Sequence, residues 1–229
     1  MKVTEDVFYS IQGEGATVGA PSVFIRFGNC MFQCAWCDTI KVWKNFTEMS
    51  ETDLLSRITK LGLIPPLVRG CHLILTGGEP LLQQKSLPSF IEQIDNKAGS
   101  RVYVEVETAG VIEPSEEMLD RVDQWNISPK LSNSGIPLKR RRKLDVLSMF
   151  RDKNSWLKFP VQNEIELDEV LDYWVGADFP KERVLLMPVC DTQASHLEKS
   201  LEVIEWCKDY GYRYSPRMQL ALYNESTGV

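Results

Sequence analysis

Apolar residues recur along this chain in two alternating rhythms. Short β-branched and aromatic runs read as strands, and between them lie segments whose apolar positions return every three or four residues, the period of a helix. Residues 22–27, reading Ser-Val-Phe-Ile-Arg-Phe, form the first strand, and residues 71–76, 101–106, 124–127, 155–161 and 183–189 form the next five. Ser50 or Thr52 can cap a helix that runs to about Lys60 and is closed by Gly62 and then Pro65 and Pro66. Further helices are predicted over residues 88–97, 115–119, 164–174 and 194–210. Sustained strand-helix alternation predicts parallel strands joined by crossover helices. About six strands are too few to close an eight-stranded barrel. The expected fold is therefore α/β, a partial, splayed (β/α)6-type TIM barrel, with residues 1–229 as a single domain and no segment that reads as a linker.

Polar clusters recur at the C-terminal ends of these strands: a cysteine loop after residue 27, Thr76 to Glu79, Glu107 with Thr108, and Ser128 to Lys130. Barrels of this class place their active sites there.

Composition narrows the class. A 229-residue chain with 43% hydrophobic residues can bury one sizeable core. A net charge of -6 and a pI near 5.1 argue against a protein whose main task is holding nucleic acid, so a small-molecule substrate is expected. The first residues contain no apolar signal region and no run of about 18 apolar residues occurs, which predicts neither secretion nor membrane insertion. The cytoplasm is the expected compartment, and it would keep thiols reduced.

Two stretches keep two readings each. Residues 11–19 are glycine-rich with the spacing G-x-G-x3-G, but they precede a strand instead of opening a helix, which excludes a dinucleotide fingerprint. They are either a plain turn or a place where backbone approaches a ligand, with Gln12 and Glu14 as polar contacts. Arg26 lies inside an apolar run: it either meets a carboxylate in the interior or sits at the strand's exposed end. The run Lys139 to Lys143 is the strongly basic segment, suited to a solvated helix face, to nucleic acid or to an acidic electron donor.

The densest chemistry lies at Cys30, Cys34 and Cys37, followed by Asp38 and Thr39. Soft thiolates select zinc, Cu(I) or iron-sulfur clusters. Zinc would want a fourth ligand, and the downstream candidates Cys71 and His72 stand in a different sequence context. A disulfide framework fits worse, since three clustered thiols cannot pair off among themselves. An iron-sulfur site is the reading adopted: three thiolates on a 4Fe-4S cube leave one iron open to a small molecule. Cys71, Cys190 and Cys207 read as small buried hydrophobes.

The C-x3-C-x2-C spacing resembles that of the radical S-adenosylmethionine (SAM) superfamily. Taken with Ile11 to Gly15, Phe24 to Arg26, Thr76 to Pro80, Glu107-Thr108 and Ser128 to Lys130, it resembles the 7-carboxy-7-deazaguanine synthase family. That resemblance implies the radical SAM fold and a carbon-nitrogen lyase of the queuosine and 7-deazapurine pathway. The implied reaction converts 6-carboxy-5,6,7,8-tetrahydropterin into 7-carboxy-7-deazaguanine with loss of ammonia, through hydrogen abstraction at pterin C6 and ring contraction. It implies Cys30, Cys34 and Cys37 as ligands of a 4Fe-4S cluster, and SAM against Trp36, Cys37, Asp38, Gly78, Glu107, Ser128, Pro129 and Lys130. The Gly-Gly-Glu turn would receive the methionine amino group, Glu79 offering an acceptor. The pterin would lie against Ile11, Gln12, Gly13, Arg26 and Thr76, closed by the C-terminal Val229, and Mg2+ would be held partly by Thr39. A homodimer and a flavodoxin- or ferredoxin-type electron donor complete the expectation. The rivals are a glycyl-radical activating enzyme on the same fold and a zinc-binding, RNA-contacting module.

Overall fold

The computed structural model describes residues 1–224. Among them nine strands form one sheet: β1 (Lys2–Ile11), β2 (Pro21–Phe27), β3 (Thr47–Glu48), β4 (His72–Gly77), β5 (Val104–Thr108), β6 (Gln124–Ile127), β7 (Ser155–Val161), β8 (Val184–Pro188) and β9 (Arg213–Tyr214). The spatial order is β3-β1-β2-β4-β5-β6-β7-β8-β9, with every pairing from β2 to β9 parallel and β1 antiparallel to both β2 and β3. The order is linear, so the sheet is an open partial barrel. The six expected strands are its six long parallel ones, β2 and β4 to β8.

The helices fall where the apolar periodicity placed them, with ends shifted by at most two residues. Ser50 caps Glu51–Lys60 by accepting from Asp53 N, Pro88 lies in the first turn of Leu87–Ala98, and Thr192 caps Gln193–Tyr210. Pro65 and Pro66, expected to follow a helix end, instead occupy the first turn of a short helix, Ile64–Val68, where their missing N–H groups cost nothing. The strand expected from residue 101 begins at Val104 and runs on to Thr108. β1 was not foreseen: its pairing with β2 has a register shift between Val3 and Val7, so it lacks a clean two-residue alternation.

The two faces of the sheet are chemically opposite, because successive strand residues point to opposite sides. Val23, Ile25, Phe27, Leu73, Leu75, Val104, Val106, Trp125, Ile127, Leu157, Phe159, Val184 and Leu186 face the helices and form one apolar core with Ile58, Phe90, Ile94, Val170 and Val203. Each such side chain contributes about 1.5–3 kcal/mol by leaving water. The alternate positions include Arg26, Thr76, Glu105, Glu107, Gln124, Asn126 and Lys158, most of them buried, beside the apolar Phe24, Ile74 and Met187. The barrel interior is thus a largely polar layer, and each of its polar groups needs a partner.

Residues 12–20 supply many of those partners, which decides between their two readings. They are not a bare turn. Thr17 Oγ1 donates to Glu105 Oε2 (2.8 Å), Gly15 N donates to Ser215 Oγ (2.8 Å), and Gln12 Nε2 donates to Glu107 Oε1 (3.0 Å). Met218 N donates to Gly13 O (3.0 Å), tying the loop to the C-terminal segment. The loop therefore fills the interior of the half-barrel from β5 round to residues 215–219.

Candidate functional site

The cysteine loop leaves the C-terminal end of β2 and returns through a short helix, Ile40–Trp43. Cys30, Cys34 and Cys37 are free thiols of intermediate exposure, whereas Cys71, Cys190 and Cys207 are buried as expected. Burial pushes the Cys30 thiol up to about 11 and raises Cys34 as well, so in the metal-free chain both are neutral and ligation must displace their protons. Trp43 Nε1 donates to Cys37 Sγ at 3.5 Å, a contact that would orient this sulfur. Among the described residues no three His, Cys, Asp or Glu side chains converge on a single metal ion. A cubane does not require that, because each of its sulfur ligands takes a different iron.

Two glycines bring the next strand against this loop. Gly78 N donates to Phe27 O (3.0 Å) and Glu79 N to Asn29 O (2.9 Å), so the end of β4 runs against the residues that lead into Cys30. A Cβ on Gly78 would collide with the Asn29 carbonyl and stand 2.9 Å from Cys30 Cβ; Gly77 has φ +141° and no room beside Phe27. Gly78→Ala is expected to displace Cys30 and lower iron uptake on anaerobic reconstitution severalfold. Full iron content in that variant would show the close approach to be dispensable.

The Glu79 side chain is held within the fold. It is 0% exposed and accepts from Leu81 N (3.1 Å), Thr108 Oγ1 (2.9 Å) and Ala109 N (2.8 Å). Its carboxylate locks the end of β4 to the end of β5, and Gly77 and Gly78 line the cavity beside it.

A cavity of about 230 Å³ opens over this end of the sheet. Cys30, Cys34, Trp36, Cys37, Asp38 and Thr39 line it from the cysteine loop, and Ile11, Gln12 and Gly13 line it from the end of β1. Arg26, Thr76, Gly78, Glu107, Ser128 and Lys130 line it from the strand ends. Pro129 is not on the wall, and Val229 lies outside the described residues. Arg26 takes the interior reading: it is 9% exposed and its Nε meets Asp6 Oδ2 of β1 at 3.0 Å. Lys130 donates to Ser128 Oγ (2.9 Å) and stands 5.3 Å from the centre of the Trp36 ring, whose Nε1 is fixed by Asn133 Oδ1 (3.0 Å).

Sequence reasoning missed the centre of the site. Lys158 on β7 is 4% exposed and joins Glu14 (2.5 Å) and Glu107 (3.9 Å); Arg217 is ion-paired to both Glu14 and Asp38. Burial works against ionisation of Glu14, but the charges of Lys158 and Arg217 outweigh it and hold that carboxyl at about 2. Burial also raises Asp38, with Arg217 opposing. Gln219 Nε2 donates to Glu14 Oε1 (2.7 Å), while its Oε1 is buried and accepts no hydrogen bond among the described residues. Lys158 was legible only as a lone lysine in an apolar strand.

Comparison with known proteins places this arrangement. The family described as 4Fe-4S single cluster domain matches residues 11–140. The 7-carboxy-7-deazaguanine synthase of Pyrobaculum aerophilum is 30% identical over 226 residues, 97% of this chain and 95% of that protein. The chain belongs to the 7-carboxy-7-deazaguanine synthase family. The synthase of Rhodopirellula baltica is 31% identical, over 98% of this chain and 87% of its own. The crystal structure of QueE from Escherichia coli shares the fold with a TM-score of 0.69 and 23% identity, covering 93% of this chain and 92% of that one. Membership in the synthase family makes the chain a radical SAM enzyme with a 4Fe-4S cluster, and the zinc and RNA reading is not favoured. Among the described residues no helix is long and apolar enough to cross a membrane.

Proposed function

We propose that this cavity converts 6-carboxy-5,6,7,8-tetrahydropterin into 7-carboxy-7-deazaguanine with loss of ammonia, with residues 1–229 acting as one radical SAM domain. The observation that carries the reading is that three half-buried thiols share one cavity wall with both groups of residues expected for cofactor and pterin. When bound, the cluster and SAM supply reductive bond cleavage and hydrogen-atom abstraction. The rest is positioning, and the chain's own residues do it.

Cys30, Cys34 and Cys37 hold the cluster, and the cofactor lies against Trp36, Asp38, the Gly78 backbone, Glu107 and the 128–130 strand end, Pro129 shaping that turn. Lys130 is kept at this wall by Ser128 and the Trp36 ring. The pterin lies against Ile11, Gln12, Gly13, Arg26 and Thr76. Gln219 fits that ring: its unpartnered Oε1 stands beside Gly13 as an acceptor for a ring N–H. Phe8 and Phe24, stacked at 5.1 Å, and Phe32 and Trp43 give the cavity apolar walls that exclude water and competing hydrogens. Gln12 bonds Glu107, so the pterin wall and the cofactor wall are in direct register.

Thr39 suits Mg2+. It precedes the helix Ile40–Trp43 without capping it, is 9% exposed and lines the cavity, and its hydroxyl, in contact with Cys37 Sγ at 3.8 Å, can turn to serve as one hard oxygen ligand beside substrate and water oxygens. Thr39→Ala is expected to weaken the Mg2+ dependence of turnover, seen as a several-fold higher Mg2+ concentration at half-maximal rate. An unchanged metal response would remove Thr39 from the site. The same reading includes a homodimer and a cytoplasmic location.

The deciding experiment is anaerobic reconstitution followed by mass analysis of the product formed from the tetrahydropterin, SAM and a reductant. SAM cleavage without the deazaguanine product would overturn the substrate, and would return the glycyl-radical activating enzyme as the rival.

A further inference from the structure

The chain has two histidines, His72 and His196. His196, on the helix Gln193–Tyr210, is 6% exposed, and its Nε2 accepts a hydrogen bond from Arg217 N at 3.1 Å. Accepting at Nε2 fixes the ring as the neutral tautomer that carries its proton on Nδ1. The backbone it holds opens the helix Met218–Tyr223, and from there the chain reaches both halves of the cavity. The Arg217 side chain is buried, donates to Cys190 O (2.7 Å) and pairs with Glu14 and Asp38. Met218 N donates to Gly13 O (3.0 Å), and Gln219 Nε2 to Glu14 Oε1 (2.7 Å). Gly13 and Gln219 stand on the pterin wall and Asp38 follows Cys37, so residues 217–219 span the two walls.

We propose that His196 is a positioning residue for the reaction: its neutral imidazole pins the Arg217 backbone and so holds the pterin wall at a fixed distance from the cofactor wall. The inference rests on the pterin reading of this cavity. A protonated ring has no lone pair to offer Arg217 N and sets a second cation beside the guanidinium. Hydrogen abstraction needs the reacting atoms close to contact, and a misplacement of about 1 Å costs on the order of a hundredfold in rate. Burial first, and then the Arg217 charge, pushes His196 below its ordinary 6.5, with Glu14 opposing. The other titratable groups on the strands and loop packed against this helix, the Cys190 thiol and the Tyr214 phenol, are pushed up by burial and stay neutral in this range. Asp191, Glu198 and Tyr223 are exposed, and Lys199 turns to Gln162 O (3.2 Å) and Glu202 (2.7 Å). The ring therefore stays neutral until the pH falls below 6.5.

The test has a structural and a kinetic arm. In the metal-free chain with isotope-labelled histidine, long-range nitrogen–proton NMR correlation reports the tautomer and titration of each ring, and His196→Gln assigns the signals by removing one set. His196 is expected as the Nδ1–H tautomer, ionising below 6.5. An Nε2–H tautomer would overturn the proposal. In the iron-loaded protein, the KM for the tetrahydropterin and the SAM cleaved per deazaguanine formed are followed between about pH 5.5 and 8. Both should rise in the wild type as the pH falls through the His196 titration. Glutamine places a carbonyl oxygen that does not titrate where Nε2 lies, so His196→Gln is expected to match the wild type at the alkaline end and to lack this acid limb. His196→Leu strands the Arg217 N–H and is expected to raise both quantities about tenfold at every pH. An acid limb that persists in His196→Gln, or wild-type coupling in His196→Leu, would overturn the proposal; should leucine prevent folding, the tautomer and the glutamine variant still decide. A wild type that cleaves SAM without forming the deazaguanine would overturn the substrate reading and the positioning role with it, and the tautomer seen in the metal-free chain tells the two failures apart.

Discussion

Cys34→Ala is expected to emerge from anaerobic reconstitution without the broad visible absorption of an iron-sulfur cluster and without any capacity to cleave SAM. The reason is stoichiometric. Three thiolates hold a cube with one open iron, and two would leave a second iron without a protein ligand. Packing does not compensate, because Cys34 is half-exposed at the cavity wall and Lys130 is the cationic neighbour that favours its ionised form. Its removal costs little folding energy, so the variant should keep the wild-type far-ultraviolet circular dichroism and denaturant midpoint of the metal-free protein. That pairing of normal fold with absent cluster is the result to look for. An intact cluster spectrum in the variant would refute the ligand assignment, and a collapsed fold would make this thiol structural.

Lys158→Met carries the second largest effect, and here the fold itself should suffer. The ammonium sits between Glu14 and Glu107 inside the barrel, and its removal leaves two carboxylates facing each other with Arg217 as the remaining cation on Glu14. Breaking a buried pair by deleting one partner costs about 3–5 kcal/mol, since the other charge is stranded. The urea midpoint of the metal-free variant should fall accordingly at neutral pH, and turnover with it, because Glu107 and the loop carrying Gln12 lose their anchor.

The pH dependence gives a sign that simple loss of packing would not. In the native chain the Glu14 carboxyl is lowered from its ordinary 4.5 to about 2. A group depressed on folding contributes stability above its unfolded value and loses it as pH falls towards the folded one. Glu14 therefore contributes about 3 kcal/mol at neutral pH, lost between pH 4.5 and about 2. Without Lys158 most of that contribution is gone at every pH, so the stability gap between the two proteins should narrow as the pH drops through this window. A constant gap would assign the loss to packing alone.

The charged network also shows why some of the site was readable and some was not. Cys30, Cys34 and Cys37 announce themselves because ligation needs several soft donors close together in the chain, and Gly77 and Gly78 because backbone must pass within contact of the Cys30 loop. Glu79 was readable as part of a strand-end turn, but only the β5 neighbours Thr108 and Ala109 show which groups its oxygens hold in place. Lys158 showed only as a lone lysine in an apolar strand, and Arg217 and Gln219 carried no local signal at all. They stand 144, 203 and 205 residues from their common partner Glu14, and contacts at that separation leave no periodicity to read.

By itself, the order of residues determined the local chemistry: strand and helix rhythm, parallel topology by alternation, three thiols at ligand spacing, and the strand ends at which polar groups collect. Tertiary structure decided how those groups are used. Alternation along β5 to β7 turns Glu105, Glu107, Asn126 and Lys158 into the open interior, and six long parallel strands do not close around them. A polar half-barrel must be satisfied from elsewhere in the chain, so residues 12–20 and 215–219 are drawn inside. Pairing charges away from water is what converts the glycine-rich stretch from a turn into a wall of the site.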